Sequence, residues 1–106
     1  MFAQTPNPPY YAVIFTSILN TVDPDYIKTN NFLIKEAEKL KGYLGQESAR
    51  NDLGFSVSYW SSLKDIQAWR QNTHHQLAIN RGKQHFYKKY KVRIALVERD
   101  YLFVNA

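Results

Sequence analysis

The chain has 106 residues, 14 Lys and Arg against 9 Asp and Glu for a formal net charge of +5, and no cysteine. That is one domain's worth of chain, and 8 Tyr, 6 Phe and 2 Trp are far too many for a disordered tail. The missing cysteines exclude a disulfide framework, thiolate zinc sites, iron–sulfur ligation and cysteine nucleophiles together. The first nine residues lack the basic and apolar regions of a signal peptide. No apolar run approaches the roughly 20 residues needed to cross a bilayer, so a soluble, cytoplasmic protein without a membrane partner is expected.

Three prolines in residues 1–9 remove amide donors and favour extended backbone, so a flexible arm is expected there, leading into a single domain over 10–106. Tyr10 to Ser17 is rich in aromatic and β-branched types at both parities, the pattern of a strand covered on both faces. Asp23-Pro24 starts a helix, Asp as cap and Pro in the first turn. Tyr26, Leu33, Ala37 and Leu40 make one apolar stripe, Ile27 and Ile34 a second, and Gly42 is the expected left-handed stop, so the helix is placed over 24–41.

Leu44 to Arg50 and the alternating Phe55 to Trp60, joined by Asn51-Asp52-Leu53-Gly54, form a hairpin. Ser62 and Asp65 have the spacing of a capping box and open a second helix. Leu63, Ile66, Trp69 and Thr73 follow at helical steps, and Leu77, Ala78 and Ile79 continue towards Gly82. The pattern leaves open one bent helix or two short ones. Tyr90 to Glu98 alternates again, with Tyr90, Val92, Ile94 and Leu96 on one face and Lys91 and Arg93 on the wetter one. Strand, helix, strand, strand, helix, strand is the α+β ferredoxin-like βαββαβ order, with an antiparallel sheet.

The stretch Ser58-Tyr59-Trp60-x-Ser62-Leu63-x-x-Ile66-x-Ala68-Trp69, followed by His75, Gly82, Tyr87, Tyr90 and Val92 to Arg99, resembles the antibiotic biosynthesis monooxygenase family. Gly42-Tyr43-Leu44-Gly45-x-Glu47-Ser48 matches that family's entry to its second strand, and the resemblance spans about Tyr10 to Tyr101. It implies a homodimer whose two sheets close into a dimeric α+β barrel, with a pocket in each subunit between sheet and helices. Some members oxidise polycyclic phenols with oxygen and no cofactor; others degrade haem. The haem-degrading pattern needs a His about ten residues after Trp69, where Ile79 stands, and an Asn in the first strand, where Tyr10 to Ser17 has none.

On the cofactor-free pattern Trp69 walls the pocket and donates from its indole nitrogen. His75 acts as acid, base or orienting donor. The chain departs from that pattern at His75, where relatives carry Tyr, and at Asp65, where Asn is expected. The resemblance adds Tyr59, Phe15, Tyr87 and Arg93 as residues contacting a small aromatic molecule of phenol or quinol type, with no metal and no cofactor. The alternative is a non-catalytic binding or interaction module of the same fold.

Plainer readings stand beside these. Trp69 is at the spacing of core packing from Leu63 and Ile66. His74 and His75 point about 100° apart on a helix, so one of them is expected at the surface. A metal site from His74, His75 and His85 lacks a carboxylate at ligand spacing. Basic residues from Arg81 to Arg99 invite an RNA reading, but Leu53 stands where that motif has Lys or Arg and Val57 where a stacking aromatic is needed. No nucleic-acid partner is expected.

Overall fold

Apolar side chains at both parities give strand β1 (Tyr10–Leu19) two oily surfaces, and the remaining elements arrange themselves around it. The structure, a computed structural model, describes residues 1–20 and 24–105. After β1 come helix α1 (Pro24–Glu38), strands β2 (Tyr43–Arg50) and β3 (Gly54–Trp60), and helices α2 (Leu63–Arg70) and α3 (Thr73–Arg81). A π-helical turn (Gly82–Phe86) leads into strand β4 (Tyr87–Val97). The sheet order is β2-β3-β1-β4 with every neighbouring pair antiparallel, which is the ferredoxin-like α+β arrangement expected from the sequence.

Directly opposed residues of antiparallel strands share a face. Tyr11 lies opposite Trp60 and Leu96, and Phe15 opposite Ser56 and Val92. Trp60 meets Trp69 of α2, and Phe15 reaches Tyr26 of α1 through Tyr87, so this is the helix side. Tyr10, Ala12, Ile14, Thr16 and Ile18 point to the other, outer side with Tyr59, Val57 and Phe55 of β3 and Lys89, Lys91 and Arg93 of β4.

Residues 1–9 have no regular secondary structure and lie across one end of the outer side. The Ala3 amide donates to Glu47 at 2.9 Å, and Thr5 to the Tyr10 hydroxyl at 3.2 Å. Gly45 has φ +132°, in the region that favours glycine, and a Cβ there would sit 3.1 Å from the Ala3 methyl. Tyr10 also donates to Asp100, just past β4. The arm and Asp100 thus bury Tyr10 and Ala12.

The expected boundaries and placements shift in several places. The Asp23 cap lies outside the described residues. Helix α1 ends at Glu38 and tightens into i to i−3 bonds, from Lys39 to Glu36 and Leu40 to Ala37. Gly42 is not a left-handed stop, since Gly45 alone among the described glycines has positive φ; its missing side chain makes room for the Asp65 carboxyl group. The second helical stretch is two helices, because Asn72 leaves the helical region at ψ 133° and caps α3 by accepting from the amides of His74 and His75. Ile27 and Leu63, which follow the helical apolar spacing, and Leu77, which continues the apolar run, are exposed. β4 begins at Tyr87, three residues before the alternating pattern does.

The capping box at Ser62 forms with a variation. The Ser62 hydroxyl accepts from the Asp65 amide at 3.1 Å, while the Asp65 carboxylate accepts from the hydroxyls of Ser62 and Ser61 at 2.6 and 2.8 Å instead of reaching the cap's backbone. These hydroxyl donors, Ser62 first, hold the Asp65 carboxyl below the usual carboxylate range. Ser62→Ala removes the cap and one of the two donors, and should lower stability by about 1–2 kcal/mol. Urea unfolding checks it: the midpoint should fall with an unchanged slope, and an unmoved midpoint would contradict the capping role.

Candidate functional site

The chain break at Asn72 sets the geometry of the site. It turns the start of α3 back on the end of α2, so that His75, in the first turn of α3, stacks on Trp69 at 4.7 Å between ring centroids and 18° between planes. Trp69 also meets Trp60, which is buried at the end of β3, at 6.2 Å. Tyr43 closes on Trp60 edge-on at 5.3 Å, and the Trp60 indole donates to the Ser58 hydroxyl at 2.9 Å. His75 is half-buried and its Nδ1 has no hydrogen-bond partner. Burial pushes the imidazole below its ordinary value, against a weaker pull from the Trp69 backbone, so the ring is neutral at pH 7. His74 points elsewhere, edge-on to Phe32 and 3.6 Å from Glu36.

A second aromatic group stands at the other end of the same side. Phe15 meets Tyr87 edge-on at 5.3 Å and stacks on Tyr90 at 5.1 Å, and Tyr26 of α1 meets both Tyr87 and the buried Phe86. Arg50 reaches across from β2, donates to the Ser17 carbonyl at 3.4 Å and to its hydroxyl, and lies over the Tyr26 ring at 5.9 Å. Burial raises the Tyr87 hydroxyl far above its ordinary value, helped by its bond to Tyr26.

Phe15 is four residues along β1 from Tyr11, the residue opposite Trp60; at a strand rise of about 3.3 Å the two aromatic groups stand roughly 13 Å apart. Between them the floor is Val13, with Ser58 on β3 and Ile94 on β4 opposite it. The serines are small, and the β4 side is open: Val92, Ile94 and Leu96 face the helices yet are 45%, 48% and 47% exposed. The helix side therefore carries an aromatic cluster at each end, small side chains between them and a half-exposed β4 flank.

Trp69, His75, Phe15 and Tyr87 all belong to this side. Tyr59 and Arg93 do not: Tyr59 pairs with Ala12 and Arg93 with Ile14, which puts both on the outer side. Tyr59 donates to Glu47 at 2.7 Å, and burial together with that bond pushes its hydroxyl up to about 12. The parity of β1 and β4 carries this division in the sequence. Tyr26 and Phe86, which complete the second aromatic group with the signature residue Tyr90, carry no chemical signal beyond apolar spacing. Among the described residues no three His, Asp or Glu side chains gather as a metal site requires.

Two shallow surface hollows lie among the described residues. One lies between α1 and α3, lined by Phe32, Leu33, His74 and Leu77. The other is a groove on the outer side, lined by Thr16, Ile18, Leu53, Lys89 and Lys91. Neither is lined by Trp69 or His75.

The protein YqjZ of Bacillus subtilis strain 168, itself uncharacterised, is 43% identical over 103 residues, 95% of this chain and 90% of its own length. The chain belongs to the family of YqjZ. No protein-family model matches it. Among solved structures, a variant of SnoaB, a cofactor-independent oxygenase from Streptomyces nogalater, is similar at a TM-score of 0.75 with 5% identity, over 88% of this chain and 96% of that one. An antibiotic biosynthesis monooxygenase is similar at 0.64 with 10% identity, over 86% and 99%. The fold is that of the antibiotic biosynthesis monooxygenases, as the sequence signature implied.

The neutral His75 gives a pH dependence with a definite sign. Unfolding frees the imidazole to its ordinary value near 6.5, so below that pH the unfolded chain binds a proton that the folded chain resists. Stability contributed this way is present above pH 6.5 and lost as pH falls. Thermal melts between pH 7.5 and 5 should show a falling midpoint that His75→Gln flattens; equal slopes in the two proteins would contradict the buried, neutral assignment.

Proposed function

We propose that the chain works as a homodimer that binds a small planar aromatic molecule on the helix side of the sheet, and that it oxidises a phenol- or quinol-type ligand there without metal or cofactor. The observation that carries this reading is the half-buried His75 stacked on Trp69, its Nδ1 without a hydrogen-bond partner. Phe15 and Tyr87 at the other end supply ring faces and edges for a planar ligand. The likeness of the fold to a cofactor-independent oxygenase supports it further.

The chemistry asks little of the protein beyond placing and charge control. A phenol whose para position carries hydrogen reacts with O2 to give the quinone and water, the substrate supplying the electrons and one oxygen atom entering the ring. Loss of the phenolic proton makes the ring electron-rich enough to reduce oxygen, and a neutral imidazole can accept that proton. The Trp69 indole N–H is a donor for the oxygen that becomes negative.

Incubation with a panel of phenols and quinols under labelled oxygen, with mass detection of product, tests this. Wild type should incorporate one labelled oxygen atom, and His75→Ala should lower the rate by about 10²-fold or more. Binding of the same compounds, followed by Trp fluorescence, without turnover by wild type would leave a binding module and overturn the oxygenase. Turnover unchanged in His75→Ala would remove His75 from the site.

A further inference from the structure

Helix α3 carries His75, yet little holds it to the rest of the molecule. None of its residues is buried, whereas α1 and α2 are anchored by the buried Ala37 and Ile66, and the turn after α3 by the buried Phe86. Both its ends are joints. Asn72 leaves the helical region at ψ 133° before it, and after it comes the π-helical turn that starts at Gly82, a geometry used only in short pieces and often at functional sites. Its ties to α1 sit at the two ends. Arg81 pairs with Asp25 at 2.7 Å, with side chains 48% and 52% exposed, and His74 meets Glu36 at 3.6 Å. Ion pairs this exposed hold weakly. Between them lies the hollow of about 190 Å³ lined by Thr29, Phe32, Leu33, Leu77 and Ala78.

We infer that α3 is a gate that swings from α1 about Asn72 and the π-turn, and that the hollow is the closed mouth through which a planar aromatic ligand reaches Trp69; this rests on the reading of the helix side given above. Helix geometry selects the mouth. Successive residues turn 100° about the axis, so Leu77, Arg81, His74 and Ala78 fall on the stripe that faces α1, and His75 lies about 60° beyond Ala78. The hollow thus stops one side chain short of His75.

The stack of His75 on Trp69 supplies the second reason. At 4.7 Å between ring centroids it leaves no space for a third ring, so the imidazole itself covers the Trp69 face that it meets. A planar ligand gains that face when α3 moves off and takes His75 with it. Closure then returns His75 against the ligand and excludes water, as lids over active sites do. Entry over the half-exposed Val92, Ile94 and Leu96 of β4 needs no such motion, and experiment separates the two routes.

Because the chain has no cysteine, introduced thiols are the only ones present. Nitroxides at Lys28→Cys on α1 and Asn80→Cys on α3, both exposed positions, report the gate by double electron–electron resonance in chains mixed with excess unlabelled protein. The gate predicts two distances, the longer one gaining ~2–5-fold in population when Arg81→Gln removes the ion pair. The pair Lys28→Cys and Lys64→Cys, on α1 and α2, should keep one distance. Access is read by acrylamide quenching of tryptophan fluorescence, which reports Trp69 because Trp60 is buried. A short bismaleimide joining Thr29→Cys to Ala78→Cys should lower the quenching constant at least ~2-fold relative to the Thr29→Cys chain treated alike. A single α1–α3 distance that Arg81→Gln leaves unchanged, or quenching indifferent to the staple, overturns the gate. Neither readout needs turnover: a moving gate without phenol oxidation keeps the gate and ends the oxygenase, and oxidation by the stapled protein at the rate of the unstapled one does the reverse.

Discussion

A sheet has two faces, and this chain has helix enough for one. Every strand next to the centre carries apolar residues on both sides, so the helices α1, α2 and α3 can satisfy only half of what the sheet offers to bury. The consequences run through the whole molecule. The helix side is filled at its two ends by aromatic clusters, with Val13 and the small Ser58 between them. The outer side is closed at one end by the N-terminal arm and Asp100, and is otherwise half-exposed.

The break between α2 and α3 turns this packing into a site. A continuous helix from Ser62 to Arg81 would carry His75 about one and two-thirds turns beyond Trp69, roughly 600° round the axis and so on a different face from it. Asn72 ends that helix by capping a new one, and the new helix brings His75 onto the Trp69 ring. The imidazole is then half-buried against an indole, which disfavours its charged form, and an uncharged imidazole is what proton acceptance at neutral pH requires. One capping residue thus connects a local backbone preference to the protonation state on which the proposed chemistry depends.

Sheet order, helix positions and the hairpin were legible because they rest on local signals: period, caps and the Asn-Asp-Leu-Gly turn. The stack of His75 on Trp69 was not, since it depends on the angle between two helices and the sequence pattern leaves open whether there are two. Tyr59 and Arg93 show a different limit. Both stand in the signature that carries the family resemblance, but strand parity sends them to the outer side, away from Trp69. The exposed Ile27, Leu63 and Leu77 have core spacing and no core beneath them, because a helix stripe is wider than the contact that a short helix makes.

The proposed dimer gives the two apolar faces different fates: a second copy would seal the outer one and leave the helix side open to a ligand. Methyl NMR with a soluble paramagnetic probe, which broadens signals from water-accessible groups, separates the two directly. The account predicts that the methyl groups of Ile14, Ile18 and Val57 are shielded in solution while those of Val92, Ile94 and Leu96 are broadened. Equal broadening of both sets would mean that the outer face stays wet, and would contradict it.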